Sequence, residues 1–256
     1  MKQRIAPLLG GIICASSLSL SAQTFTEDNS ATPAVNTFNR VDGYTVGEVI
    51  FNNAGGVPDP FTINPLGMTI TEVTTDSGLV RVYDVCAEMF VGPNDSSSYS
   101  VSEGFGALNA TQQLQIAKLF SNTLIDFINY VGSGDTANAN VVGAAIQMAF
   151  WEIIEDPVAQ TTPSLDDLDV SAGNISIVGL NTDYTGEVDS AVNLAQTYLT
   201  SLATWEDEGG LSYYYSDPGA AQDRLWVGVG ASVIPEPSTA LLSLLGLGFL
   251  LRRKRN

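Results

Sequence analysis

Two side chains far apart in this sequence are suited to chemistry with each other: the thiol of Cys86 and the carboxamide of Gln147. A thiolate is a strong nucleophile, and Gln147 is the polar residue at the centre of an apolar run, residues 141–154. A carboxamide buried without a hydrogen-bond partner costs about 1–3 kcal/mol. We therefore expect Gln147 to have a partner elsewhere in the chain, and Cys86 is the candidate.

The apolar run predicts a helix that surrounds Gln147 with two kinds of neighbour. Residues three and four positions away share one face of a helix. Small residues before Gln147 leave room for another chain segment, and aromatic residues after it keep water away. These neighbours are Gly143, Ala144, Phe150 and Trp151.

The first 22 residues have the layout of a cleavable signal peptide. Lys2 and Arg4 precede an apolar run over residues 5–20, and small residues follow up to Ala22. A lipid-modified Cys14 is disfavoured, because two isoleucines stand before it where small residues are expected. Removal of the signal leaves Cys86 as the single cysteine of an exported protein, so it forms no internal disulfide and needs another explanation.

The C-terminal residues 234–256 contain three successive features. Pro235-Glu236-Pro237 leads into an apolar run over residues 238–251, and a basic cluster follows at residues 252–255. As a helix the run rises about 21 Å, short of the roughly 30 Å hydrocarbon core of a bilayer, and the basic cluster would stay in the cytoplasm. The segment is either a short transmembrane anchor or a sorting signal that a protease removes.

The segment between these two ends is strongly acidic. All but one of the 28 Asp and Glu residues lie in residues 23–233, whereas only four of the ten Lys and Arg residues do. Such a field repels nucleic acids and anionic lipid head groups, so no nucleic-acid partner is expected. The chain has no histidine, which removes Ser-His and Cys-His catalysis and histidine-ligated metal sites.

The apolar pattern predicts an α+β domain over residues 42–233, after a loose leader at residues 23–41. Strands are predicted at residues 44–51, 68–74, 79–89, 211–215 and 224–229, with turns and loops at 52–65 and 91–103. Helices are predicted from a cap at Asn109 or Thr111 to Tyr130, around Gln147 as far as Asp156-Pro157, and at 187–205. Helical segments between β segments indicate an antiparallel β-sandwich or barrel-like domain with a helical insert.

An acidic loop contains Asp166, Asp167 and Asp169. It is either a solvated turn or a calcium site, and the solvated turn is favoured because the spacing of an EF-hand is missing. No metal ion is assigned to the chain, and no cofactor is expected.

Two stretches enclose the candidate side chains: Tyr83-Asp84-Val85-Cys86-Ala87-Glu88 and Ile146-Gln147-Met148-Ala149-Phe150-Trp151-Glu152. Together they resemble the paired motifs of bacterial thioester domains, which occur on surface adhesins and are also named for a Thr-Gln-x-Ala motif. Ile146 stands in the place of that threonine, and the Gln-x-Ala-aromatic-Trp-Glu part matches. The resemblance covers roughly residues 42–230.

The resemblance implies that the thiol of Cys86 displaces ammonia from the carboxamide of Gln147 and leaves an internal thioester. Because an amide is a poor acyl donor, this step depends on positioning and on backbone N–H groups that stabilise the oxyanion. A carboxyl group, or water, would have to move protons, and the candidates are Asp84 and Glu88. The residues expected to shield or support the bond are Tyr83, Phe150, Trp151 and Glu152.

The C-terminal features resemble the PEP-CTERM sorting signal of Gram-negative bacteria, with the Pro235-Glu236-Pro237 motif, a short hydrophobic helix and terminal arginines. This resemblance implies export through the inner membrane and a transient C-terminal membrane anchor. It also implies processing by a sorting protease of the exosortase type, which leaves the protein on the cell surface or outside the cell.

These observations favour a non-enzymatic adhesion protein that captures an amine-bearing or cationic partner on an extracellular surface or matrix through the thioester. The alternative is a chemically inert structural protein of the extracellular matrix or biofilm. A hydrolase with Cys86 as its nucleophile is disfavoured, because the chain has no histidine to act as the base.

Overall fold

The computed structural model describes residues 23–27, 37–47, 49–53, 61–63, 66–75, 78–88, 98–155, 170, 175–180, 187–216 and 223–229. These residues belong to one unit of the chain, Ala22–Pro235. The predicted signal peptide, the Pro235-Glu236-Pro237 motif, the predicted transmembrane helix and the acidic loop with Asp166, Asp167 and Asp169 lie outside the described residues. Within the described ranges, no helix has both the length and the apolar character needed to cross a membrane.

The described residues form both strands and helices, in agreement with the predicted α+β class. The strands are β1 Gln23–Glu27, β2 Thr37–Val46, β3 Val49–Asn53, β4 Phe61–Ile63, β5 Leu66–Thr75, β6 Gly78–Cys86, β7 Ser98–Glu103, β8 Ile175–Leu180, β9 Leu211–Ser216 and β10 Arg224–Val229. The helices are α1 Ala110–Ser133, α2 Thr136–Glu155 and α3 Glu187–Ser201. The first two helices lie between β7 and β8, which is the predicted helical insert.

Seven strands form a closed barrel in the order β1-β2-β5-β6-β10-β9-β7. Six of them, from β2 round to β7, pair antiparallel with their neighbours. β1 closes the ring by pairing antiparallel with β7 and parallel with β2. A separate three-stranded sheet has the order β4-β3-β8.

Helix α1 begins and ends at residues whose local chemistry fixes its limits. The side chain of Asn109 accepts hydrogen bonds from the N–H groups of Thr111 and Gln112, and the side chain of Gln112 accepts one from the N–H of Asn109. This reciprocal capping box satisfies N–H groups that have no partner inside the helix. The helix ends at Gly134, whose φ of 77° is in the left-handed region that glycine adopts without steric cost.

Helix α2 packs against the barrel, mainly on β2 and β5, and α1 and α3 pack mainly against α2. Phe127 of α1 makes edge-to-face contacts with the rings of Tyr44 and Tyr83, at centroid distances of 5.3 and 6.0 Å. Apolar side chains from both strands complete this interface; they include Val46, Leu66, Met68 and Ile70. Because strand side chains alternate between faces, the intervening residues Thr69 and Thr71 point to the other face, into the barrel.

The sequence prediction was wrong for several short or polar strands, most of which lie in segments predicted as leader, loop or turn. The loose leader predicted at residues 23–41 contains β1 and the start of β2, and the loop predicted at 91–103 contains β7. The turn region predicted at 52–65 contains β4, the predicted strand 44–51 spans the end of β2 and the start of β3, and β8 was not predicted. These strands have weak local signals and exist because distant strands pair with them, which is the usual way that context overrides strand propensity.

Candidate functional site

Cys86 lies at the end of β6, where β6 no longer pairs with β5 but still pairs with β10. The ladder between β5 and β6 ends at the pair Thr69–Asp84, two residues before Cys86. On its other side Cys86 is paired with Arg224 of β10. Pairing on that side continues beyond Cys86, because the N–H of Ala87 donates to the carbonyl of Asp223 at 2.8 Å.

The carboxamide of Gln147 takes the place of the missing strand beside Cys86. The N–H of Cys86 donates to Oε1 of Gln147 at 2.9 Å, and Nε2 of Gln147 donates to the carbonyl oxygen of Cys86, also at 2.9 Å. Gln147 is only 1% exposed, whereas Cys86 is partly exposed. The partner expected for a buried glutamine is therefore the residue that carries the thiol.

Gly143 allows α2 to come close enough for Gln147 to reach β6. A β-carbon at position 143 would lie 3.1 Å from the ring of Phe127, 3.2 Å from the carbonyl oxygen of Tyr44 and 3.5 Å from the β-carbon of Met68. Distances of 3.0–3.4 Å are tighter than ordinary van der Waals contact. The absence of a side chain one turn before Gln147 therefore brings the helix against β2 and β5.

Of the aromatic residues proposed as a shield, Phe150 and Trp151 are buried and Tyr83 is partly buried; Phe150 and Tyr83 have identified partners on α1. Phe150 is fully buried and lies 6.3 Å from the ring of Phe120, and Tyr83 packs against Phe127. Burial raises the pKa of Tyr83 above its ordinary value. Trp151, one turn after Gln147, is 3% exposed. Gln147 thus lies on a helix with buried aromatic neighbours, whereas Cys86 is partly exposed.

The two carboxylates proposed for proton transfer lie in different surroundings. Asp84 is buried; it accepts hydrogen bonds from the hydroxyls of Thr69 and Thr71 and forms an ion pair with Arg224, whose Nη1 lies 3.1 Å from Oδ2 of Asp84. Glu88 is less buried and accepts a hydrogen bond from the N–H of Asp223 at 3.2 Å. Asp84 is therefore occupied as a structural acceptor, and Glu88 is the better placed of the two to exchange protons with water.

Glu155, at the end of α2, is a neighbour of the site that the sequence prediction missed. Burial raises the pKa of its carboxyl group, and the nearby charge of Glu88 raises it further. A residue eight positions after Gln147 returns to a similar side of a helix, and that spacing could have revealed Glu155. Glu152, which was predicted to support the site, is 2% exposed.

The described residues contain no group of three or more acidic or cysteine side chains that could hold a metal ion. The groups at the site that could take part in chemistry are the thiol of Cys86, the carboxamide of Gln147, the main-chain N–H and carbonyl of Cys86, and the carboxyl groups of Glu88 and Glu155. Comparison of the chain with protein-family models, with curated proteins and with solved structures finds no match.

Proposed function

We propose that Cys86 and Gln147 form an internal thioester and that the protein captures a partner covalently through it. The observation that carries this proposal is the pair of 2.9 Å hydrogen bonds between the carboxamide of Gln147 and the main chain of Cys86. These bonds fix the acyl carbon of Gln147 beside the residue that carries the nucleophile. Fixed geometry of this kind lowers a barrier by up to about 7–11 kcal/mol.

The same two hydrogen bonds suit the reaction that forms the thioester. The sulfur of Cys86 attacks Cδ of Gln147, an S–C bond forms, and negative charge develops on Oε1, which already accepts the N–H of Cys86. A donor aimed at the developing charge stabilises the transition state. The Cδ–Nε2 bond then breaks, the proton lost by the thiol is transferred to the departing nitrogen, and ammonia leaves. Glu88 and Glu155, or water, are the candidate carriers of that proton.

In the capture step an amine of the partner attacks Cδ of Gln147. A C–N bond forms, the S–C bond breaks, and a proton from the amine restores the thiol of Cys86. The product is an amide between the two molecules, and each protein molecule reacts once. The protein is accordingly proposed as a covalent binding protein and not as an enzyme.

The proposed location and partners follow from the two ends of the chain and its charge. Residues 1–22 would direct export, and the Pro235-Glu236-Pro237 motif would direct sorting by a membrane protease of the exosortase type. The partner would be an extracellular molecule with amines, on a cell surface or in a matrix. A cationic partner is favoured because the formal net charge of the chain is −18 at pH 7.

A chemically inert matrix protein is the second candidate, and one observation favours it. The carboxamide of Gln147 already has both its oxygen and its nitrogen hydrogen-bonded to Cys86. A satisfied buried amide is a common structural feature, and it would join α2 to β6 without further chemistry.

Treatment with methylamine separates the two candidates. The proposed thioester should be opened, with methylamine attached at Gln147 and a titratable thiol released at Cys86. Cys86→Ala and Gln147→Ala should each abolish the reaction. Gln115→Ala is the matched control, because Gln115 is also a buried helical glutamine, with 5% exposure, but belongs to α1. A wild-type protein that gains neither the adduct nor a new thiol would favour the inert candidate.

A further inference from the structure

A buried polar cluster, formed by Thr69, Thr71, Asp84 and Arg224, connects three strands inside the barrel. Nη1 of Arg224 donates to Oδ2 of Asp84 at 3.1 Å, and both side chains are only 3% exposed. The hydroxyl of Thr71 donates to the same oxygen at 2.8 Å, and the hydroxyl of Thr69 donates to Oδ1. One carboxylate therefore joins β6 to β5 on one side and to β10 on the other.

The cluster lies at the point where β6 leaves β5 and meets Gln147. Asp84 and Thr69 form the last pair of the β5–β6 ladder, and Arg224 is the residue directly paired with Cys86 in the β6–β10 ladder. Directly paired residues of antiparallel strands have their side chains on the same face of the sheet. The ion pair therefore joins Arg224, which is paired with Cys86, to Asp84, which lies two residues before Cys86 in β6.

A buried ion pair usually adds little to the free energy of unfolding, but it can fix the register in which strands pair. Two charges lose their hydration in a closed interior, and apolar residues of similar volume often replace such a pair without loss of stability. A register slip of one residue, in contrast, turns every side chain of a strand to the opposite face. Such a slip of β6 would move Asp84 out of the barrel and would present another residue's main chain to Gln147.

We propose that Asp84 and Arg224 are positioning residues, which hold β6 in the register that presents the N–H and carbonyl of Cys86 to the carboxamide of Gln147. The consequence for thioester formation rests on the function proposed above. The positioning itself does not, because the two hydrogen bonds at Cys86 are present whether or not the carboxamide reacts. Thr69 and Thr71 extend the same constraint to β5.

The test replaces the pair by apolar side chains of similar volume in the full chain, as the double variant Asp84→Leu with Arg224→Met. Circular dichroism and a cooperative thermal transition report folding, and intact mass at fixed times after cell-free synthesis reports the thioester fraction. The initial rate of thioester formation should fall at least ten-fold in the folded double variant. Arg224→Lys, which keeps the charge but not the reach of the guanidinium, should fall between the double variant and the wild type.

The matched control is the more exposed ion pair between β5 and β6, formed by Arg81 and Glu72, whose Nε and Oε1 lie 3.3 Å apart. Replacement of this pair by Arg81→Met with Glu72→Gln should leave the rate of thioester formation within two-fold of the wild type. A rate that falls as far in this control as in the double variant would overturn the proposal, since it would reflect general weakening of the sheet.

A second readout reports the positioning without the covalent bond. In a Cys86→Ala background, hydrogen exchange of the backbone amide at position 86 measures how well Gln147 still accepts it. Protection at that amide should fall at least ten-fold when Asp84→Leu with Arg224→Met is added. A folded double variant whose amide protection at position 86 and rate of thioester formation are both unchanged would overturn the proposal. If the double variant does not fold, unchanged protection and an unchanged rate in Arg224→Lys would overturn it. A wild-type protein with no thioester would contradict the proposed function alone, and exchange at position 86 would then decide the positioning.

Discussion

The carboxamide of Gln147 forms hydrogen bonds with the main chain at the end of β6, as a neighbouring strand does elsewhere in the barrel. β5 pairs with β6 only as far as Asp84, and the next N–H and carbonyl on that side belong to Cys86. Both are bonded to Gln147. A buried donor or acceptor left unsatisfied costs about 1–3 kcal/mol, so Gln147 stabilises the end of β6 whether or not its carboxamide reacts.

Glu155 should make stability depend on pH in a direction set by its raised pKa. A carboxyl group whose pKa is higher in the folded than in the unfolded protein binds more protons when folded, so the stability it contributes is lost as pH rises. This loss begins near its ordinary value of 4.5 and is complete above the raised value. Glu155→Gln should therefore have the same melting temperature as the wild type below pH 4 and a higher one near pH 7. Each kcal/mol relieved raises the melting temperature by about 2–4 °C.

Thermal melts from about pH 3.5 to pH 8 test this prediction. Glu103→Gln, at an exposed position in β7, is the control and should follow the wild type at every pH. A difference between Glu155→Gln and the wild type that stays constant across this range would show that the carboxyl of Glu155 titrates normally.

How much of the site could be predicted from the sequence differs from residue to residue. Gln147 could be found because a polar residue in an apolar helix needs a partner, and the paired motifs pointed to Cys86. Asp84 and Arg224 could not be assigned to the barrel interior, because charged residues are usually exposed and only the strand order places these two side by side. Glu155 has no local signal apart from its spacing on the helix.

At the scale of elements, α2 positions the site by its fit against the barrel. Gly143 meets β2 and β5, Gln147 meets β6 one turn later, and the end of the helix is held by α1. Nε2 of Gln112 donates to the carbonyl oxygens of Ile153 and Ile154, at 3.3 and 3.1 Å. These carbonyls are in the last turn of α2, so Gln112 joins the C-terminal end of α2 to α1. The helix is therefore held in place on both sides of Gln147, at Gly143 and in its last turn.

A side chain at position 143 should push this helix away from the strands. Gly143→Leu places atoms where Phe127 and the carbonyl of Tyr44 now lie, and overpacking of this kind costs about 1–3 kcal/mol. Urea unfolding should show that loss, and intact mass should show a smaller thioester fraction than in the wild type. Gly132→Leu in α1 is the control, because a β-carbon there meets no atom within 4 Å. Leucine is a better helix former than glycine by roughly 0.8 kcal/mol, so this control should keep or gain stability.

Equal stability of Gly143→Leu and the wild type, with an equal thioester fraction, would mean that close approach at Gly143 does not position Gln147.

The long helices were the elements most readily predicted, since their apolar periodicity is local. β1 and β7 were missed because the Ser- and Thr-rich sequences QTFTE and SYSVSE become strands only through each other and through β9 and β2.

At the scale of the whole molecule, charge is the property most relevant to a partner. The basic side chains that the structure describes are already engaged: Arg81 with Glu72, Lys118 with the carbonyl of Leu202, and Arg224 with Asp84. In the part of the chain that the structure describes, the basic side chains therefore give the acidic excess little compensation. A field of one sign raises the encounter rate with partners of the opposite sign by about 10–10³-fold at low salt.

The rate of covalent capture should accordingly depend on the charge around the reacting amine. A cationic peptide and an anionic peptide of equal length, each with one lysine as its only amine, should differ by at least ten-fold in rate at about 10 mM salt. The difference should nearly disappear at about 1 M salt, where the Debye length is about 3 Å. A neutral peptide is the control and should react at nearly the same rate at both salt concentrations. Equal rates for the two charged peptides at low salt would contradict a cationic partner.

The mass of the intact, denatured wild-type protein shows directly whether Cys86 and Gln147 are joined by a thioester. Its ends are first mapped by peptide sequencing, so that the expected mass follows from its own sequence, and free thiol is titrated in the same sample. The thioester predicts a mass lower than the sequence mass by one ammonia and no titratable thiol at Cys86. A protein at its full sequence mass with one free thiol would contradict the thioester and leave Gln147 as a structural amide.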